Sequence, residues 1–339
     1  MLARAGAPLG DRNLGGYTPA HLAALYGHTA ALEALARAGA PLGGREGGDK
    51  MAALLATAVG HAAALETLAR TGTPLGECNA GGCTPAHLAA LYGHTARAHA
   101  PLGERDAGGC TPAHRAAEFG HSAALEALAR AGAPLGERDA GGRTPAHLAA
   151  LYGHTAALEA LARACAPLGE RDSDGASPAH LAAENRHAAA LEALARTGTQ
   201  LGGRDADDNT PTLRAAALGH AAALEALAPA GVPLGKRNTR GDTPAHLAAL
   251  NGRTAAVEAL ARVGAPLGER DDDNITPAHL AAENGHAAAL EARAGARLGE
   301  HDIDGCTPAN LAARYGHTSA LEALARAGAP RGGGAAKGG

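Results

Sequence analysis

A Thr-Pro or Ser-Pro step, most often continued by Ala-His, returns along the chain with its first residue at 18, 84, 111, 144, 177, 210, 243, 276 and 307. Five consecutive intervals, from 111 to 276, are 33 residues each. The interval from 18 to 84 is two such units, with a degenerate copy between them that ends Val59-Gly60-His61. The exceptions are intervals of 27 residues (84 to 111) and 31 residues (276 to 307). A period of this length marks stacked units that each bury one face against their neighbours. Composition agrees. Of 339 residues 46% are hydrophobic, but 93 are Ala, and there are one Phe, five Tyr and no Trp. A single large core needs bigger side chains, so a compact globule is excluded and thin layers remain.

One clean unit runs from Thr144 to Ala176. Thr144 is placed to cap a helix, and Pro145 suits the first helical position, where a missing N–H does no harm. The helix continues to Tyr152 and stops at Gly153, which adopts the left-handed conformation readily. A second helix follows His154. Leu158 and Leu161 share one face, and Glu159 and Arg163, four apart, are spaced to pair on the other. Ala166-Pro167-Leu168-Gly169 then leads into a Gly- and Asp-rich turn of hairpin character. Pro229 alone among the prolines falls inside a second helix, which it should end early.

The run Asp139-Ala140-Gly141-Gly142-Arg143-Thr144-Pro145-Ala146-His147-Leu148-Ala149-Ala150, followed by Gly153-His154, resembles the ankyrin repeat. The resemblance covers about residues 2–330, in ten copies after a leading fragment. It implies an all-α repeat solenoid, with stacked helix-loop-helix repeats joined by short β-hairpin-like loops. It also implies a non-enzymatic protein-interaction scaffold that binds its partner on the concave helix and loop face. Two departures stand out: Ala follows Thr-Pro where the family usually has Leu, and the second helix is mostly Ala. Residues 1–17 read as a partial repeat and first loop, 18–110 as repeats 1–3 with a shortened third, 111–330 as repeats 4–10, and 331–339 as a flexible Gly-rich tail.

Little in the chain points to chemistry. Seven of 18 histidines sit in the Thr-Pro-Ala-His step and nine follow the helix-stopping position, so repeat packing explains them better than catalysis. Cys83, Cys110 and Cys306 share one varying column with Tyr17, Arg143 and Ile275, which reads as surface. The spacing of Cys78, Cys83 and His87 fits no zinc pattern, and the loop at Asp172 lacks the Glu a calcium site would need at its twelfth position. No metal or cofactor is expected. A formal charge of −4 argues against nucleic acid, and no apolar run is long enough to span a membrane. Five cysteines at irregular spacing suggest reduced thiols in a cytoplasmic protein. The oligomeric state stays open.

Recognition in a stacked array must use the columns that packing leaves free. One such column, at the end of the first helix, reads Tyr26, Val59, Tyr92, Phe119, Tyr152, Asn185, Leu218, Asn251, Asn284 and Tyr315. It holds five of the six aromatics; the sixth, Tyr17, lies in the column before Thr-Pro. The later loops collect Asp205, Asp207, Asp208, Asp271, Asp272, Asp273, Asp302 and Asp304, interrupted by Lys236, Arg237 and Arg240. These columns, with Asp207, Asp272 and Asp304 for the loops, point to a protein or peptide partner, basic or amphipathic. Tolerated surface tyrosines and a merely solvated charged edge are the bland alternatives. A further reading makes the chain the recognition region of a larger enzyme or channel (ligase, kinase or membrane protein), because neither end looks capped.

Three departures look like defects. Arg115 and Arg214 stand in a column held elsewhere by an inward leucine (Leu22, Leu88, Leu148), where a charge must snorkel out or loosen the stack. Arg186 replaces the helix-stopping glycine. With the short third repeat, Arg115 places a weak joint near 94–116.

Overall fold

The computed structural model describes residues 8–42, 52–94, 101–292 and 298–328. Residues 95–100, the expected remnant of the short repeat's second helix, and the tail at 331–339 lie outside them. Among the described residues there are helices and turns but no strand. The chain divides into two compact units, Met1–Ser173 and Asp174–Gly339. In the first, short helices α1 (Pro19–Leu25), α3 (Ala52–Ala58), α5 (Pro85–Leu91), α6 (Pro112–Glu118) and α8 (Pro145–Leu151) alternate with α2 (Thr29–Arg37), α4 (Ala62–Arg70), α7 (Ser122–Arg130) and α9 (Thr155–Arg163). The second has α10 (Pro178–Glu184), α12 (Pro211–Leu218), α14 (Pro244–Leu250), α16 (Pro277–Glu283) and α18 (Pro308–Arg314) as first helices. Their second helices are α11 (Ala188–Arg196), α13 (Ala221–Leu227), α15 (Thr254–Arg262), α17 (Ala287–Glu291) and α19 (Thr318–Arg326). Within each unit first helices pack on first helices, and second on second, as a solenoid requires.

The local signals act as the sequence predicts. Thr144 is extended at φ −87°, ψ 168°, and Pro145 opens α8. The helix ends when Gly153 turns to φ +73°. That turn lets the Gly153 and His154 amides close on Ala150 and Ala149 carbonyls at 3.3 and 2.8 Å. Arg186 takes the same left-handed turn at φ +67° despite its side chain. α13 ends at Leu227, two residues short of Pro229, whereas most second helices run two residues longer. The core is as thin as the composition requires: its largest fully buried side chains are all leucines, among them Leu158, Leu161, Leu191 and Leu194. Alanines such as Ala116, Ala149 and Ala182, fully buried, let the first helices approach closely.

Glycine at the helix stop has a second role, because the next repeat's histidine ring lies on it. A Cβ at Gly120 would sit 2.7 Å from the His154 Nδ1, whereas one at Gly132 would meet nothing within 4 Å. Both have positive φ (+73° and +79°), so both alanine variants carry the left-handed penalty of about 1–2 kcal/mol. Gly120→Ala should lose roughly 1–3 kcal/mol more from crowding, seen as a lower thermal midpoint than Gly132→Ala. Equal midpoints would remove the packing argument.

Two expectations need correction. The second-helix ion pairs run between repeats, not along one helix: Arg163 meets Glu126 at 2.6 Å and Arg70 meets Glu33 at 3.1 Å. Stacking brings a neighbour's carboxylate closer than the helix's own, although at this exposure each pair adds little. The leucine column is not uniformly inward either. Leu22, Leu88, Leu181, Leu247 and Leu280 are half-buried, with Leu148 and Leu311 buried, so an arginine there reaches the edge of the stack without crossing the core.

Candidate functional site

The histidines take up their places first, because they position everything else. In the Thr-Pro-Ala-His column His114 faces two backbones at once. Its Nδ1 accepts from the Thr111 N–H at 3.1 Å, and its Nε2 donates to the Arg143 carbonyl of the next repeat at 2.9 Å. An N–H can only donate and a carbonyl can only accept, so the ring is neutral with its proton on Nε2. His87 does the same between Thr84 and Cys110, His180 between Ser177 and Asn209, and His246 between Thr243 and Ile275. The second column points the other way: His121 bonds the Leu91 carbonyl at 2.9 Å and His154 the Glu118 carbonyl at 3.0 Å, both in the preceding repeat. The first column thus bonds within its own repeat and to the next one, and both columns supply staples between repeats.

Stapling fixes the aromatic column. Each aromatic lies two residues before a histidine of the second column and closes the first helix, with ring centroids 6.2 Å apart for Tyr92 and His94 and 6.5 Å for Phe119 and His121, the latter a staple to Leu91. Tyr26, Val59, Tyr92, Phe119 and Tyr152 are all exposed, from 48% for Tyr152 to 64% for Tyr26. Leu25, Leu91 and Leu151 stand half-buried beside them. These leucines extend the apolar surface, and their column, one residue before the aromatics, was the signal that could have found them. Tyr17 differs: it is half-buried in the loop, its N–H bonded to Asn13 Oδ1 at 2.9 Å.

In the second unit the column changes chemistry. Asn185, Asn251 and Asn284 are exposed, and each turns its Nδ2 onto a carbonyl of its own helix (Leu181, Leu247 and Leu280) at 2.8–2.9 Å. That choice leaves each Oδ1 outward as an acceptor. Tyr315 is exposed as well, with the Arg314 guanidinium 5.7 Å from its ring centre.

The acidic edge is narrower than the sequence suggests. Asp205, Asp271 and Asp302 turn one carboxylate oxygen onto backbone amides two and four residues ahead, as Asp205 does to Asp207 at 3.0 Å and Asn209 at 2.8 Å. These carboxylates build the turn. Asp208 pairs with Arg204. Asp207, Asp272, Asp273 and Asp304 remain exposed at the tips, Asp272 with Arg237 at 3.9 Å.

The two arginines in the leucine column are corrected most fully. The Arg115 Nη2 lies 2.6 Å from Asp106 Oδ2, with Asp106 1% exposed, and its Nη1 lies 2.8 Å from Glu118. Burial pushes the Asp106 carboxyl up, but Arg115 and the Cys110 and Gly108 amides hold it below the ordinary range. Arg214 repeats the arrangement with Asp205 and Glu184 at 2.6 and 2.8 Å. Neither charge snorkels unpaired. The repeats flanking 95–100 also keep both staples, His87 to Cys110 and His121 to Leu91.

Cys110 is buried, against its reading as a surface position, and burial pushes its thiol up to about 11, which makes it inert. Among the described residues no group of three His, Cys, Asp or Glu is close enough to hold a metal. No described helix is long and apolar enough to cross a membrane. A family model of ankyrin repeats, in its three-copy form, matches residues 96–168, 113–205, 147–235 and 212–292 in overlapping placements. No curated protein matches the chain at a significant level.

Proposed function

Because this chain belongs to the ankyrin-repeat family, whose repeats are protein-interaction modules, we propose that it is a non-enzymatic scaffold. It binds a protein or peptide partner on the first-helix and loop-tip side. The observation that carries this is the exposure of Tyr26, Tyr92, Phe119 and Tyr152 in one column, each ring resting beside an imidazole bonded into the stack or at its position. Rigid, half-exposed aromatics lose little entropy on contact and are favoured at binding hot spots.

The test is affinity for a partner captured from native lysate. The triple variant Tyr92→Ala, Phe119→Ala, Tyr152→Ala should weaken binding by at least about thirtyfold, one hot-spot side chain being worth about 2 kcal/mol. The exposed second-helix variant Glu66→Ala should bind normally. A triple variant that keeps full affinity would sink the aromatic surface. On the second unit, the outward amide oxygens of Asn185, Asn251 and Asn284 and the tip carboxylates Asp207, Asp272 and Asp304 favour a partner rich in donors, a basic or amphipathic segment.

A further inference from the structure

The staples are not evenly distributed in the second unit. Between α10–α11 and α12–α13 both imidazole bonds are made, His180 to Asn209 and His220 to Glu184, each at 2.9 Å. Between α14–α15 and α16–α17 both are made again, His246 to Ile275 and His286 to Leu250, at 2.9 and 3.1 Å. At the junction of α12–α13 with α14–α15 neither is. Leu213 stands where the forward-facing histidine belongs, and Arg253 where the backward-facing one does, its Nε reaching the Ala217 carbonyl at 3.2 Å. Thr212, fully buried, replaces the usual alanine with a hydroxyl that has no hydrogen-bond partner. Pro229 shortens α13 on the same side of the junction.

Apolar contact is nonetheless retained. Leu213, Leu224, Leu227 and Leu260 are 0% exposed and Val257 is 1% exposed. Polar contact across the junction is made by long side chains: Arg253 to the Ala217 carbonyl at 3.2 Å, Arg204 to the Arg237 carbonyl at 2.7 Å, Lys236 to the Gly202 carbonyl at 2.9 Å, and Arg262 to Glu225. Imidazole bonds to backbone are short and directional and fix one angle between repeats. Leucine packing is non-directional, and a guanidinium on a flexible stem follows its acceptor through a range of angles. Loss of both imidazole bonds, with packing kept and only long side chains in their place, describes a joint that turns without coming apart.

We propose that the α12–α13/α14–α15 junction is a built-in hinge, about which α14–α19 reorient against α10–α13. Its rotation changes the spacing of Asn185 and Asn251, so the hinge adapts that face to what it meets. The hinge stands whether or not the face binds a basic segment, since it is measured without a partner.

Spin labels carried on unnatural residues at exposed Glu192 and Glu258 report the angle across the hinge and leave the native cysteines alone. Labels at Glu258 and Glu322 span two repeats where His246, His286 and His317 bond their neighbours. The first pair should give a distance distribution about twofold broader than the second, as expected for a freely turning joint. The double variant Leu213→His, Arg253→His should narrow it to the control width. Equal widths in the native chain, or a double variant that folds and stays broad, overturn the hinge. If that variant does not fold, His246→Leu serves instead: it should broaden the Glu258/Glu322 distribution, and an unchanged width overturns the proposal.

Discussion

Asp106→Ala is expected to lower the stability of the first unit by on the order of 3 kcal/mol, whereas Arg115→Leu should cost clearly less, about 1–2 kcal/mol, because two backbone amides still hold the carboxylate. The asymmetry follows from what each variant leaves behind. Asp106 is 1% exposed and accepts from the Gly108 and Cys110 amides at 2.9 and 3.0 Å as well as from Arg115. Alanine would leave the Arg115 guanidinium, 26% exposed, with Glu118 in place of two carboxylates, and undo the turn that presents the Cys110 carbonyl to His87. Leucine at 115 instead restores the side chain of most repeats. Asp271 and Asp302 already hold such turns with Leu280 and Leu311 in the column. Calorimetry of the full chain separates the outcomes, and similar losses for the two variants would contradict this account. The pH sign is also fixed. The Asp106 carboxyl lies below its ordinary 3.8, so its contribution is full above that value and is lost as pH falls through the lowered folded one.

That cluster also marks where sequence reasoning stops. The period, the Thr-Pro start, the glycine stop and the early end at Pro229 are local, and one repeat contains all the information needed to read them. Contacts between repeats are not local. Glu159 and Arg163 stand at a good helical spacing, yet Arg163 turns to Glu126 because stacking brings another carboxylate within 2.6 Å. Arg115 looked like a defect because its partner Asp106 lies nine residues away, across a turn whose geometry no spacing rule supplies. The exposed face was legible by elimination: columns not needed for packing are free, and the aromatics and asparagines are indeed exposed there. The acidic loops were over-read because a sequence does not distinguish a carboxylate that builds a turn, such as Asp205, from one that faces water, such as Asp207.

Acidification from pH 8 to pH 5 should melt the array, and the midpoint should begin to fall near 6.5. Burial lowers the pKa of His87, His114, His246 and His279 from the ordinary 6.5, outweighing the raising effect of the carbonyls that their Nε2 atoms meet. Protonation at Nδ1 would set an N–H against the Thr N–H it now accepts from. Above 6.5 folded and unfolded chains are both neutral at these rings, and the full stability is present. Below 6.5 the unfolded chain takes up protons that the folded chain refuses. Stability then falls by up to about 1.4 kcal/mol per pH unit for each histidine, until the lowered folded pKa is reached. Two of the four lie in each unit. The chain itself supplies the control: Asn310 holds the histidine position in α18, and its Oδ1 accepts from the Thr307 N–H at 2.9 Å without titrating. The double variant His87→Asn, His114→Asn should therefore melt earlier than the native chain at pH 8, having lost two staples. Its midpoint should fall less steeply between pH 6.5 and 5. Parallel pH curves for the two proteins would show that acid acts elsewhere.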